Sequence, residues 1–143
     1  MQNEKLKLKI MLDAGAKVPT RAHAADAGLD IYAATDGVVP SGGSCTFDTG
    51  VHVEIPRGYV GMLKSKSGLN CKYGLVSEGV IDAGYTGSIV VKLYNHGASP
   101  YTVKAGEKIS QLVILPIITP DPEVVDSLAD TERGTGGFGS TGK

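Results

Sequence analysis

The chain has 143 residues, 41% of them hydrophobic and 20% charged, a length at which a single core buries roughly 70% of the surface that the unfolded chain exposes. Fourteen basic residues offset fifteen acidic ones, and a net charge of -1 excludes the broad basic field that a DNA or RNA polymer requires. The start MQNEKLKLKI has no apolar signal core, no run approaches the ~20 apolar residues of a membrane span, and Cys45 and Cys71 fit neither a disulfide framework nor a metal-ligand spacing, so a soluble, cytoplasmic protein with reduced thiols is expected.

Taken in chain order, Lys5 to Ile10 alternates lysine with Leu6, Leu8 and Ile10, the period of a half-buried strand. Val51, Val53 and Ile55 repeat that alternation, and Tyr59 to Leu63 is a short apolar run. Ser88 to Asn95 is rich in β-branched residues and reads as a strong strand; Ile109 to Ile118 is another, closed by Pro116 and Pro120. Twenty glycines and turn signals such as DGVVPSGG, PRG, DAG, NHGASP and KAGE recur every eight to twelve residues between them. This spacing predicts an all-β barrel or sandwich. Helical pattern is nearly absent, Glu123 to Leu128 being the best candidate and too short to stand alone. The chain divides into a barrel, residues 1–118, and a C-terminal arm and glycine-rich flap, residues 119–143, of the same domain.

The flap RGTGGFGSTGK cannot fold by itself, since five of its eleven residues are glycine and it has one large apolar side chain. It does have what a cover over a nucleotide needs. Arg133 offers a planar fork to phosphate oxygens, Gly139, Ser140 and Thr141 offer amides and hydroxyls, and Phe138 offers a face on which a base can stack. His23, His52 and His96 are scattered without the partners of a zinc site.

Four further blocks carry chemistry at strand ends. AGLDIYA places one carboxylate, Asp30, among apolar neighbours, where it either shapes a turn or orients a basic group or a metal's water shell. Lys66-Ser67-Gly68-Leu69 joins a cation, a hydroxyl and a glycine in a turn. In GVIDAGYTG, Asp82 follows two β-branched residues and is expected at the mouth of a hairpin, with Tyr85 flooring a pocket. GEKISQL leads into the last strand and carries Gln111, a neutral donor.

In this order the five blocks resemble the five motifs of the trimeric deoxyuridine triphosphatases, from about residue 18 to the end. The resemblance implies a jelly-roll type β-barrel, a homotrimer with active sites at subunit interfaces, and hydrolysis of dUTP to dUMP and pyrophosphate, which limits uracil incorporation into DNA. It assigns Asp82 the attacking water at the α-phosphorus and Tyr85 a place under the deoxyribose that leaves no room for a 2′-hydroxyl. Uracil would be read by the backbone around Gly79, Val80, Ile81 and Val90. The triphosphate would be gripped by Lys66, Ser67, Gly68 and Gln111 and by Arg133, Gly139, Ser140 and Thr141 of the closing arm, with Phe138 stacked on the base. Mg²⁺ would ride on the substrate phosphates with no direct protein ligand, Asp30 acting at most through its water shell or a partner arginine. One departure stands out: the second motif of the family carries arginine where this chain has Lys66, which keeps the charge and loses the bidentate fork. Two alternatives remain open on residues alone. One is a dCTP deaminase of the same fold, for which Glu78 is the only candidate base; the other is a non-catalytic protein that uses the nucleotide as a switch.

Overall fold

The computed structural model describes residues 6–142 and contains, among them, eleven strands and one short helix. Strand β1 (Lys9–Leu12) pairs antiparallel with β5 (Val51–Glu54), and β3 (Gly37–Val39) pairs with β10 (Tyr101–Val103). A four-stranded sheet runs in the order β2 (Gly28–Tyr32), β11 (Lys108–Pro116), β6 (Tyr59–Lys64), β8 (Glu78–Ile81). A three-stranded sheet runs β4 (Ser44–Asp48), β9 (Val90–Asn95), β7 (Leu75–Val76). Every pairing is antiparallel, and inward residues from both larger sheets meet in one core, giving a jelly-roll type β-barrel.

Alternation drives the packing. Along β9 the buried positions are Val91, Leu93 and Asn95; along β5 they are Val51 and Val53, continued by Ile55. Phe47, Ile31, Leu75, Ile89, Ile109 and Leu112 fill the interior between the sheets. Asn95 is buried without cost because its amide donates to the Val39 and Ser99 carbonyls and its oxygen accepts from the Gly97 amide.

The element boundaries differ from expectation in physically clear ways. The first strand is Lys9–Leu12, not Lys5 to Ile10, because its ladder partner β5 spans only Val51–Glu54 before Pro56; Lys5 lies outside the described residues. Val90–Asn95 is shorter than Ser88 to Asn95, since Ser88 and Ile89 are tied to the turn between β4 and β5. The last strand stops at Pro116, where the ladder with β6 ends. No helix forms over Glu123 to Leu128; the helix, α1 (Ser67–Tyr73), lies where a turn was expected. It starts after Lys66, whose extended backbone forms the N-cap, and closes at Gly74, whose N–H donates to the Asn70 carbonyl.

Beyond β11 the chain leaves the barrel. The Ile117 amide donates to the Gly58 carbonyl at 2.9 Å, and from there to Gly142 all residues but Gly136 are exposed.

Candidate functional site

The site residues fall into three groups, each placed by a different part of the fold. The first sits where β2, β11 and β6 lie side by side, with Gln111 opposite Asp30 on one flank and Lys64 on the other. Asp30 is buried, and both its oxygens are taken: Lys66 Nζ donates to one, and Lys108 Nζ to the other at 3.0 Å. Burial alone would raise the Asp30 pKa, but the hydrogen bonds and charges of the two lysines outweigh it and hold the group below its ordinary value. Lys108 moves reciprocally above the usual lysine range through its bond to Asp30. Asp30 thus orients basic groups, and a water shell would have to displace a lysine to reach it.

The approach to Lys66 is fixed by a small hydroxyl network. Ser65 Oγ donates to the Ser77 carbonyl and accepts from its amide at 3.1 Å, while Ser77 and Ser110 share a buried hydroxyl contact at 2.7 Å. Gln111 Nε2 donates to the Ser65 carbonyl at 2.9 Å, and Gln111 Oε1 occupies the space where a Cβ at residue 28 would sit, so Gly28 is what lets this amide stand upright. Ser67 and Gly68 open α1 and are exposed beside this cluster. Lys108, Ser65, Ser77 and Ser110 were not singled out from the sequence; GEKISQL contains two of them, but only the register of β11 against β2 and β6 shows what they touch.

The second group lies at the other end of β8. Asp82 follows its last residue and is exposed, and among the described residues its carboxylate has no hydrogen-bond partner. The expected hairpin is absent: β8 and β9 belong to different sheets, and residues 82–89 bridge them. The consequence is a gap between two strand edges. Among the described residues the outer edge of β8 has no ladder, and β9 is paired with β4 along Val90–Tyr94 but with β7 only at Tyr94 and Asn95. A shallow cavity of about 240 Å³ opens there, lined by Val80, Ile81, Asp82, Tyr85, Ser88 and Val90. Tyr85 stands at its rim, its hydroxyl donating to the Ser88 carbonyl at 2.7 Å and its ring so close to Gly87 that a Cβ there would lie 2.6 Å from the hydroxyl oxygen. Any larger residue at 87 would push the ring out of this position.

Glu78 occupies the opposite end of β8 from Asp82, its carboxylate bound to Lys64 Nζ at 2.7 Å. A carboxylate engaged in that way, and not among the residues that line the cavity, is poorly placed as a base for deamination.

The third group is the flap. Arg133 Nε donates to the Gly136 carbonyl at 2.7 Å, Gly134 is capped by Thr131, and Phe138 is fully exposed. Arg133, Phe138, Gly139, Ser140 and Thr141 are therefore held in local turns, and within one chain the structure does not bring them to either of the other groups. Nor does it join those two. The Lys64–Glu78 row and the Gly61–Ile81 row are three residues apart, about 10 Å along the strands, with Gln111 in the first row, Lys66, Ser67 and Gly68 beyond it, and Asp82 beyond the other.

Among the described residues no group of three or more His, Cys, Asp or Glu side chains is arranged to hold a metal, and no helix is long and apolar enough to cross a membrane.

A family model described as dUTPase matches residues 14–142. The chain is 43% identical over 145 residues to the deoxyuridine 5'-triphosphate nucleotidohydrolase of Anaplasma marginale (strain St. Maries), covering 96% of this chain and 99% of that one. It is 44% identical over 128 residues to the nucleotidohydrolase of the same name from Paramecium bursaria Chlorella virus 1, covering 89% and 91%. The structure of the Staphylococcus bacteriophage 80alpha dUTPase with dUpNHpp superimposes on it with a TM-score of 0.89 at 34% identity, over 97% of this chain and 100% of that one. A mutant dUTPase of phage phi11 of S. aureus, described with a structural Mg(II) ion, gives a TM-score of 0.80 at 33% identity over 85% and 98%. Barrel, motif order and flap all lie within these matches, and the chain belongs to the dUTPase family.

Proposed function

We propose that the protein hydrolyses dUTP to dUMP and pyrophosphate, and that Asp82 positions the attacking water. The observation that carries this reading is the exposed, unengaged Asp82 carboxylate in a cavity walled by Tyr85, between two strand edges with free backbone groups. A carboxylate with no competing partner is a ready proton acceptor, and holding the water in line with the α-phosphorus supplies much of the remaining acceleration. The edges of Gly79–Ile81 and Val90 present main-chain donors and acceptors that suit the edge of uracil. The ring of Tyr85, held by Gly87 and the Ser88 carbonyl, rejects a ribose 2′-hydroxyl by contact.

The triphosphate lies against Lys66, Ser67, Gly68 and Gln111, with Arg133, Ser140 and Thr141 closing over it. Lys66 remains tethered to Asp30, so it offers a fixed point charge rather than a fork. Mg²⁺ fits as a companion of the substrate phosphates, since the nearby Asp30 is saturated by lysines and no carboxylate cage exists among the described residues. When bound it neutralises charge on the phosphoryl oxygens.

A water at Asp82 must lie within attacking distance of a phosphorus held by Lys66, Ser67 and Gln111, yet Lys66 and Ser67 follow β6 at the end of the strand pair opposite to that where Asp82 follows β8, and Gln111 lies beside Lys64. That separation supports a site completed by neighbouring copies, as a homotrimer in which one chain supplies Asp82, a second the phosphate grip and a third the flap. The exposed Ile118, Val124 and Leu128 suit an arm that lies on another subunit. Free Cys45 and Cys71 suit the reducing cytoplasm. Incubation of the purified protein and Mg²⁺ with dUTP, dCTP, dTTP or UTP tests the assignment. dUMP and pyrophosphate are expected from dUTP, with slow turnover of UTP and dTTP; comparable cleavage of UTP contradicts the pocket, and conversion of dCTP to a uracil nucleotide points to deamination.

A further inference from the structure

The segment that carries Asp82 and Tyr85 is fastened to the rest of the barrel at its downstream end. Thr49 Oγ1 donates to the Ile89 carbonyl at 2.6 Å, the Ile89 amide donates to the Val51 carbonyl at 2.8 Å, and Ser88 Oγ donates to the Asp48 carboxylate. One more tether lies closer to Tyr85 and is of a different kind. His52, on β5, has Nδ1 2.8 Å from the Thr86 carbonyl and Nε2 3.0 Å from Asp13 Oδ2. Both ring nitrogens face acceptors.

We propose that His52 is a positioning residue for the Asp82–Tyr85 loop, holding Thr86 in a clamp that is complete only when the imidazole carries its second proton. The proposal rests on the reading of that loop as the reactive part of a dUTP site. A carbonyl can only accept, and an ionised carboxylate can only accept, so the imidazolium satisfies both and each neutral tautomer satisfies one. On losing a proton the ring keeps its N–H toward the negative charge of Asp13, and a bare Nδ1 is left facing the Thr86 carbonyl. That contact turns from attractive to repulsive, and of the tethers described it is the one nearest Tyr85.

The surroundings favour the charged ring. Asp13 follows β1, and Asp48 stands at the turn between β4 and β5; on the same face Lys9 and Glu54 pair with each other at 3.3 Å and largely cancel, and on the loop itself Asp82 is the only charged group. The bond to Asp13, then the Thr86 carbonyl, lift the His52 pKa above its ordinary 6.5. With a folded-state value raised in this way, the clamp is complete below the ordinary value and is lost as pH rises through the raised one.

Histidine and amide resonances of the intact protein across pH 5.5–9 read the clamp directly, with or without activity. His52 is expected to titrate with a midpoint above 6.5, with the amides of Tyr85, Thr86 and Gly87 following the same midpoint. Asp13→Asn should lower that midpoint, and His52→Asn, which keeps a donor near Thr86 without a titrating proton, should remove it from the loop. In dUTP hydrolysis, kcat should fall about two- to tenfold as pH passes the midpoint, with a smaller change in KM, and His52→Asn should lack this step. A His52 midpoint at or below 6.5, loop amides indifferent to it, or a His52→Asn pH profile that overlays the unmodified protein would overturn the proposal. Loop amides that follow His52 in a protein inert toward dUTP would instead uphold the clamp and refute the substrate.

Discussion

The cluster around Asp30 and the flap from Arg133 onward are the two regions to which we assign the substrate phosphates, and they are opposites in how they are held. Around Asp30 the polar groups are largely partnered before any ligand arrives: two lysines on the carboxylate, the Gln111 amide on the Ser65 carbonyl, Ser65 on Ser77 and Ser77 on Ser110. Among its described residues the flap makes only turns with itself and exposes Phe138 entirely. A preorganised cluster gives electrostatic stabilisation without reorganisation, whereas an unattached arm admits substrate and releases product and is ordered only at the cost of its glycine entropy. In the function proposed above, the contrast means that the barrel would fix where the phosphates go, while the arm would decide when the site is closed to water.

The largest expected effect separates chemistry from both regions. Asp82→Asn should lower kcat by about 10²- to 10⁴-fold while dUTP affinity changes little, because the amide can still hydrogen-bond but takes no proton. Steady-state kinetics beside equilibrium binding would measure this, and near-normal turnover would remove Asp82 as the base.

Truncation before Arg133 addresses the arm. It should leave the barrel folded and its assembly state unchanged by sedimentation, since the removed segment contributes nothing to the core. Turnover should fall by roughly 10²–10³-fold with the loss of charge-stabilising donors. A truncated protein that works at the full-length rate would make the flap dispensable. Phe138→Ala should do less, about 1–3 kcal/mol of lost base stacking, read as a rise in KM.

Changes at the preorganised cluster should show in stability more than in the arm's closure. Asp30→Asn leaves two lysine ammoniums without their counter-charge and should cost about 1–3 kcal/mol in denaturant unfolding at neutral pH. The pH dependence has a definite sign. Asp30 is held below its ordinary value when folded, so its contribution is present above pH ~4 and is lost as pH falls through the lower, folded value. The unmodified protein and Asp30→Asn should therefore converge in stability toward strongly acid pH. A constant gap at all pH values would show that the lysine pairs do not stabilise the fold.

Much of this was legible in the residues. Alternation at Val51 and Val53 and the β-branched run before Asn95 mark strands, and Asp82 with Tyr85 stands out because they are the only carboxylate and the only aromatic ring in GVIDAGYTG. What was not legible depends on partners distant in sequence. Helix α1 has seven residues and none fully buried, too few turns for a period to appear. Lys108 becomes a partner of Asp30 only through the register of β11 on β2, and His52 meets Asp13 only because β1 lies against β5. The hairpin expected around Asp82 failed for a related reason. Its two strands are adjacent in sequence but enter different sheets, and the resulting unpaired edges are the feature on which the proposed reading of a base rests.

Mixed assemblies test most directly whether the barrel cluster, Asp82 and the flap of different copies meet in one site. Asp82→Asn and the chain truncated before Arg133 are each expected to be nearly inactive. Unfolded together and refolded, they should regain dUTP hydrolysis, because some sites then combine Asp82 from a truncated chain with the flap of an Asp82→Asn chain. If each chain closed its flap over its own Asp82, every site in the mixture would carry one defect, and a refolded mixture no more active than its components would contradict shared sites.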